Sequence, residues 1–426
     1  MNKIINPDRN IWNEILARPV LSLEEIEKRV APIMEEVQKG KDKALLSLTS
    51  KFDGVTLHEI EVNEEELLES ETLVDNELKT AIQLAAKNIE KFHSNQILQE
   101  ASIETMPGVH CWRKSIGIEK VGLYIPGGTA PLFSTVLMLA IPAKIAGCKK
   151  IILCSPPNRE GKIHPAILYA AKLIGIHHIY KLGGSQAIAA MTFGTETVPQ
   201  VYKIFGPGNQ YVMAAKQLAL KYGVAIDMPA GPSEVAVIAD KSANPAFVAA
   251  DLLSQAEHGN DSQVILFTND KDLLNNTEKE VQQQLEVLSR SNFASHALSH
   301  SKLILVDNLD TAIEMSNAYA PEHLIIHTPQ PEILADKVVN AGSVFLGYYS
   351  PESVGDYASG TNHTLPTNGY AKAYSGVSLD SFTKKITFQK LTKDGLQSIG
   401  NIVETLAEAE SLGAHKNAVT IRLKNM

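Results

Sequence analysis

Four short segments, far apart in the chain, carry side chains suited to metal binding and proton transfer. They are Ser254-Gln255-Ala256-Glu257-His258-Gly259, Pro321-Glu322-His323-Leu324, the run from Gly355 to His363, and Glu410-Ser411-Leu412-Gly413-Ala414-His415. Gln255 and His258 are three residues apart, which puts both on one face of a helix that Gly259 should end. The carboxyl end of a helix favours a nearby cation. Asp356 stands between Gly355 and a Gly-containing loop, where backbone can approach a ligand closely. His415 follows Gly413, read as the cap of the last helix. One carboxamide, one carboxylate and two imidazoles form a borderline-hard donor set that suits Zn²⁺. A solvated helix end and a surface carboxamide fit the same spacing, and no HExxH or cysteine cluster decides between them.

Glu322 and His323 are the acid/base pair. Proline starts their turn, and Ile325-Ile326 continues as a strand, so the pair sits at a strand mouth. Ligands bind at a sheet edge, at the switch point of such folds. A histidine can take a hydroxyl proton near neutral pH, and a neighbouring glutamate can activate water. A turn with both side chains merely solvated is the competing reading.

These groups need elements to hold them. Residues 1 to about 100 read as helices, with Ser22 and Glu25 forming a capping box. From Lys120 the rhythm becomes strand, glycine turn, helix. Val121 to Ile125 is a strand, Thr135 to Ala146 a helix, Lys150 to Cys154 a strand, Ala166 to Ile174 a helix, and His178 to Leu182 a strand before a helix from Ser185. Ser233 to Ala239 is a strand, and Asn244-Pro245 caps and begins a helix. Gln263 to Phe267, Lys302 to Val306 and Gly342 to Gly347 are further strands, and the stretch from Thr383 reads as a separate tail of strand and helix, the latter from about Gly395 to Leu412. This alternation indicates α/β architecture with parallel sheets. Three glycine turns, Pro126-Gly127-Gly128, Gly183-Gly184-Ser185-Gln186 and Phe205-Gly206-Pro207-Gly208-Asn209, could offer backbone N–H groups to phosphates or simply pack strand against helix. None is GxGxxG or a P-loop.

Bulk properties narrow the class. A chain of 426 residues is long enough for two α/β domains with appendages. The net charge of −9 with no basic stripe argues against a nucleic-acid partner or an anionic membrane. No apolar run reaches the roughly 18 residues of a membrane span, and the first residues lack a signal-peptide pattern, so a soluble cytoplasmic protein is expected. Cys111, Cys148 and Cys154 have no metal or redox spacing, and Cys154 lies in an apolar strand as core.

With these segments laid out, the chain closely resembles the histidinol dehydrogenase family, nearly end to end. The most specific stretches are Gly122 to Gly128, Phe205 to Asn209, Asp227 to Glu234, Gln255 to Asp261, Pro321 to Leu324, Ser353 to Pro366 and His415 to Thr420. The resemblance implies oxidation of L-histidinol to L-histidine through L-histidinal, with two NAD in succession, as the last step of histidine biosynthesis. It implies one Zn²⁺ per subunit on Gln255, His258, Asp356 and His415, and acid/base roles for Glu322 and His323. Substrate contacts fall on Ser233, Gln255, His258, His323, Asp356, Glu410 and His415, and NAD contacts on Tyr124, Gln186 and Asn209. The family fold is a homodimer of two incomplete Rossmann-like domains with small terminal extensions, the C-terminal one completing the partner's site. On this sequence it suggests an N-terminal arm over residues 1–23, a first α/β domain over 24–123 and 235–320, a second over 124–234 and 321–378, and a C-terminal extension over 379–426. Two rivals compete with that activity: a zinc hydrolase in which Glu322 activates metal-bound water, and a metal-stabilised interaction protein with structural glycine turns.

Overall fold

Short apolar runs bounded by Gly, Pro and Asn become strands buried on both faces, as parallel sheets require. The computed structural model describes residues 1–19, 23–127 and 131–426, and the side chain of Leu23 is also outside the described set. Ser22 of the expected capping box and Gly128 of the first glycine turn therefore lie outside the described residues. In chain order the strands are β1 (Asn2–Ile5), β2 (Ile103–Met106), β3 (Val109–Gly117), β4 (Lys120–Tyr124), β5 (Lys150–Ser155), β6 (His178–Lys181), β7 (Lys203–Phe205), β8 (Ala225–Ile226), β9 (Glu234–Ala239), β10 (Gln263–Thr268), β11 (Lys302–Leu305), β12 (His323–His327), β13 (Ser343–Leu346) and β14 (Thr383–Leu391).

The chain divides into two compact units. The first contains residues 1–95 and 118–382, the second residues 96–117 and 383–426. In the first, two parallel sheets run in the orders β6-β5-β4-β7-β8 and β1-β11-β10-β9-β12-β13. Leaving β1 aside, both follow the pattern 3-2-1-4-5 of a doubly wound dinucleotide fold and lack its sixth strand. The chain is thus α/β, with two incomplete Rossmann-like parallel-sheet domains and small terminal extensions. Each sheet starts in its middle, builds outward, then crosses back, so its switch point lies between β4 and β7, or between β9 and β12.

Strand pairing revises the expected boundaries. β12 hydrogen-bonds directly to β9, with His323 opposite Val235, so the segment from 321 joins the sheet of residues 234–305 rather than that of 124–234. Likewise β4 pairs with β5 and β7, and Ile26, Val30 and Met34 of the helical segment Leu23–Asp53, which kinks at Lys41, pack in one cluster with Tyr180, Ile188 and Leu218. The N-terminal helices therefore belong with the five-stranded sheet. Residues Asn2–Ile5, expected as part of a helical region, form an edge strand on β11.

In the second unit β3 pairs antiparallel with β14 over nine residues and with β2 on its other side. Trp112 stacks on Phe388 with ring centroids 5.5 Å apart. The strands β2 and β3 were not expected from sequence, and they take residues 103–117 into the same unit as the tail. The tail's helix runs Lys393–Ala409, and a second helix, Gly413–Lys424, follows. Gly413 opens that second helix and does not cap the first. Among the described residues no helix is long and apolar enough to cross a membrane.

Candidate active site

The acid/base pair sits where β12 begins. Glu322 precedes the strand and His323 is its first residue, both buried. This is the amino edge of the six-stranded sheet, opposite to the carboxyl edge expected from the general rule for such folds. Gln255 reaches the same edge from the helix Pro245–Ala256, which Asn244 caps by accepting from the Ala246 N–H, with Pro245 in its first turn. That helix ends at Ala256, so His258 lies in the turn beyond it and Gly259 is not the cap. Asp356 is helical, in Glu352–Tyr357, one residue before that helix ends and the glycine-containing loop begins. Gly355 beside it is required: a Cβ there would lie 2.5 Å from Phe345 of β13.

These elements bring the chemistry into one cluster. Gln255 Nε2 faces the Glu234 carbonyl at 3.3 Å, Glu322 Oε2 at 3.3 Å and His323 Nδ1 at 2.8 Å. That arrangement leaves Gln255 Oε1 buried without a hydrogen-bond partner among the described residues. Glu322 Oε2 also accepts from the Glu234 N–H at 2.9 Å. His323 Nδ1 lies 3.2 Å from the Glu234 carbonyl, and Nε2 lies 3.4 Å from Asp356 Oδ1. His363 Nδ1 sits 2.8 Å from the Asp356 carbonyl and Nε2 3.0 Å from Thr135 Oγ1, which pins the Asp356 backbone. Ligand atoms of His258, Glu352 and Asp356 all lie within 4.8 Å of one another.

The electrostatics are those of excess negative charge. Burial pushes the Glu322 carboxyl up to about 8, against the pull of His323. Burial does the same to Glu352, also to about 8. For His323 burial works downward, but Glu352, Glu322 and Asp356 outweigh it and raise the ring to about 10. Asp356 is held below its ordinary range, burial being outweighed by His323. A cluster of three carboxylates, one unpartnered carboxamide oxygen and the open His258 ring is suited to a cation, because a divalent charge neutralises groups that otherwise repel one another. Gln255 Oε1, His258 and Asp356 are the expected ligands that this unit supplies. Glu352, absent from the sequence-based set, stands one helical turn before Asp356, and that i, i+4 spacing was the available signal.

Two cavities serve this region. One of about 360 Å³ is lined by Ser233, His258 and Asn209, among others. The other, of about 960 Å³, is lined by Tyr124, Gln186 and Asn209, so all three expected NAD contacts share it and Asn209 lines both. Tyr124 ends β4 and its hydroxyl accepts from the Gly184 N–H at 3.0 Å. Asn209 caps the helix Gln210–Lys221, its Oδ1 accepting from the N–H groups of Tyr211 and Val212. These positions lie at the carboxyl edge of the five-stranded sheet. Glu410 and His415 belong to the second unit, where both are exposed, Glu410 ending one helix and His415 in the first turn of the next. Cys154 is buried core, its thiol raised by burial, as expected of a non-reactive cysteine.

Comparison with known proteins bears on all of this. The family model described as histidinol dehydrogenase matches residues 16–423. A histidinol dehydrogenase of Bacteroides fragilis is 60% identical over 426 residues, covering all of both chains. One from Campylobacter jejuni is 53% identical over 99% of this chain and 98% of its own. A crystal structure of histidinol dehydrogenase from Elizabethkingia anophelis superposes with a TM-score of 0.97 at 59% identity, covering 100% of this chain and 98% of that one. With matches of this extent in sequence and in fold, the chain belongs to the histidinol dehydrogenase family of oxidoreductases.

Proposed function

We propose that this chain oxidises L-histidinol to L-histidine through L-histidinal, reducing two NAD in succession, with one zinc ion per subunit. The observation that carries the reading is the buried contact of Gln255, Glu322 and His323 beside the His258, Glu352 and Asp356 group. Zinc, held by Gln255, His258 and Asp356, would supply charge that offsets the surrounding carboxylates and a fixed point for the imidazole and amine of histidinol. NAD would supply the hydride acceptor at each oxidation.

The chain's own residues do the proton chemistry. With a bound cation offsetting the carboxylates that otherwise keep the ring protonated, His323 Nε2, on the side of the ring away from Gln255 and the Glu234 carbonyl, takes the hydroxyl proton in the first oxidation. Glu322, ionised once the same cation offsets its burial and its acidic neighbours, then activates the water that hydrates the aldehyde, and His323 Nε2 acts again in the second oxidation. Gln255 holds the acid and the base in one arrangement, since its amide faces both. Ser233 lines the small cavity with His258 and is placed to contact substrate.

We further propose a homodimer in which Glu410 and His415 of one chain complete the other chain's site. Their exposure on the second unit supports this, as does the group of His258, Glu352 and Asp356 in the first unit, which could hold a metal ion with room for a further ligand. The test of the whole reading is NAD reduction with L-histidinol, with and without a chelator. Turnover that stops on chelation and returns with zinc is expected. Absence of NAD reduction, with hydrolase activity in its place, refutes it.

A further inference from the structure

The large cavity contains a charged group that the proposed reaction leaves without a task. Asp53, the last residue of the helical segment Leu23–Asp53, is the one carboxylate among the described residues that line it. Its Oδ2 accepts from Gln186 Nε2 at 3.3 Å. Its Oδ1 faces the turn before the helix Gly184–Phe193, 3.3 Å from where a Cβ on Gly183 would stand. Burial alone moves its carboxyl up to about 6, with no cation contributing. It is therefore largely ionised at neutral pH, half-buried, and has acceptor capacity to spare.

The surroundings say what it accepts. Helix N-termini ordinarily seat phosphates. Here the Gly184 N–H is already committed to the Tyr124 hydroxyl, and the Asp53 carboxylate lies beside the same turn. A phosphate at this end of the cavity would meet a like charge in a poorly hydrated place, whereas a neutral group with adjacent hydroxyls finds an acceptor. The cavity's arginines, Arg29 and Arg159, are exposed, and suit a diphosphate instead. The reacting end of a dinucleotide belongs near Asn209, where the cavity borders the one containing His258, and Asp53 does not line that second cavity.

In dinucleotide folds an acid read from the first βαβ unit binds the ribose hydroxyl. After β5 this chain has Pro156 and Pro157 instead, and Pro156 packs so tightly on Gly127 and Gly183 that a Cβ on either would lie within 2.6 Å of it. We propose that Asp53, brought in by the N-terminal helix, accepts the hydroxyls of the adenosine ribose and thereby excludes a dinucleotide phosphorylated at the 2′ position. The inference rests on the reading of this cavity as the NAD site.

The test uses the full-length zinc enzyme and the variants Asp53→Asn and Gln186→Ala, with dissociation constants for NAD⁺ and NADP⁺ and the KM for each measured with L-histidinol. Asparagine keeps an acceptor oxygen for Gln186 and removes only the charge, so a merely structural role would survive it. Because hydrogen bonds to charged groups are worth about 1.5–3 kcal/mol, Asp53→Asn is expected to weaken NAD⁺ by roughly 10- to 100-fold. NADP⁺ should bind more tightly than to wild type, so that the preference for NAD⁺ falls by more than that factor. If Gln186→Ala weakens NAD⁺ but Asp53→Asn leaves the preference unchanged, the cavity reading stands and the role of Asp53 is overturned. If neither variant alters either affinity, the cavity is not the dinucleotide site and both fall together.

Discussion

Replacing His323 by Asn is the most direct probe of the proposed chemistry. The ring is buried, with Nδ1 2.8 Å from Gln255 Nε2 and 3.2 Å from the Glu234 carbonyl, while Nε2 points toward Asp356. Asparagine is shorter and reaches the Nδ1 position only, so it preserves the contacts on one side and deletes the proton acceptor on the other. General-base catalysis is worth roughly 10²- to 10⁴-fold, which corresponds to about 2.7–5.4 kcal/mol of activation free energy. The loss should appear in turnover with L-histidinol and with L-histidinal alike, since the same nitrogen serves both oxidations. Bound zinc should remain, because His323 is outside the proposed ligand set. The assay is nicotinamide reduction with each substrate separately, paired with metal analysis of the same preparation. Turnover near wild type in a variant that retains zinc would give the base to another residue. Loss of zinc together with activity would mean that His323 supports the metal rather than the proton transfer.

The other predictions concern the neighbouring groups. Glu322→Gln should impair conversion of L-histidinal more than oxidation of L-histidinol, and equal loss in both, measured with each substrate, would remove its water-activating role. His258→Ala should lose zinc and activity while the fold persists, because the side chain lies beyond a helix end and outside the core; full zinc content refutes the ligand assignment. Glu352→Gln should raise the melting temperature of the chelated protein above that of chelated wild type, since it removes one of three crowded carboxylates, and a lower melting temperature would show that Glu352 has no repulsion to relieve. Mixing His323→Asn with His415→Ala should partly restore activity if each site needs two chains, because a hybrid dimer then has one site with both defects and one with neither; subunit exchange without recovery would show that each tail serves its own chain.

Much of the fold was readable because local signals agreed. The strand from about Ser233 to Ala239, the helix begun by Asn244-Pro245 and the strand Lys150 to Cys154 all appear within a residue or two of expectation. Their patterns are short-range, and capping chemistry marks the ends. The pairing of segments into sheets was not readable. β9 and β12 are about ninety residues apart and pair through backbone bonds that carry no side-chain signature. β2 and β3 escaped notice because they are largely exposed and belong to a small unit, so burial leaves little periodic trace. At the site, Gln255, His323 and Asp356 were expected and are brought together. Glu352 was missed because it lies in no motif, and only the helical face it shares with Asp356 reveals it.

The positions of these residues place unusual weight on one loop. The proposed dinucleotide groups lie at the carboxyl edge of the five-stranded sheet, while the acid/base pair lies at the amino edge of the six-stranded one. Cofactor and substrate would therefore approach from two different sheets, and Asn209, lining both cavities, marks where they meet. The segment leading to Asn209 is held accordingly. Gly206 has φ +128°, and a Cβ there would lie 2.1 Å from the Tyr124 carbonyl oxygen, so only glycine permits this approach. Lys216 donates to the Gly206 carbonyl at 2.8 Å and pairs with Asp227, whose Oδ2 accepts from the Gly206 N–H at 2.8 Å. Both side chains of that ion pair are only 1% exposed. A buried pair contributes little net stability, since desolvation offsets most of the attraction. Its value here is geometric: it fixes the loop through both backbone groups of Gly206. A hydride transfer tolerates little error in distance, so the junction between two separately built sheets is where rigidity has the greatest effect on rate.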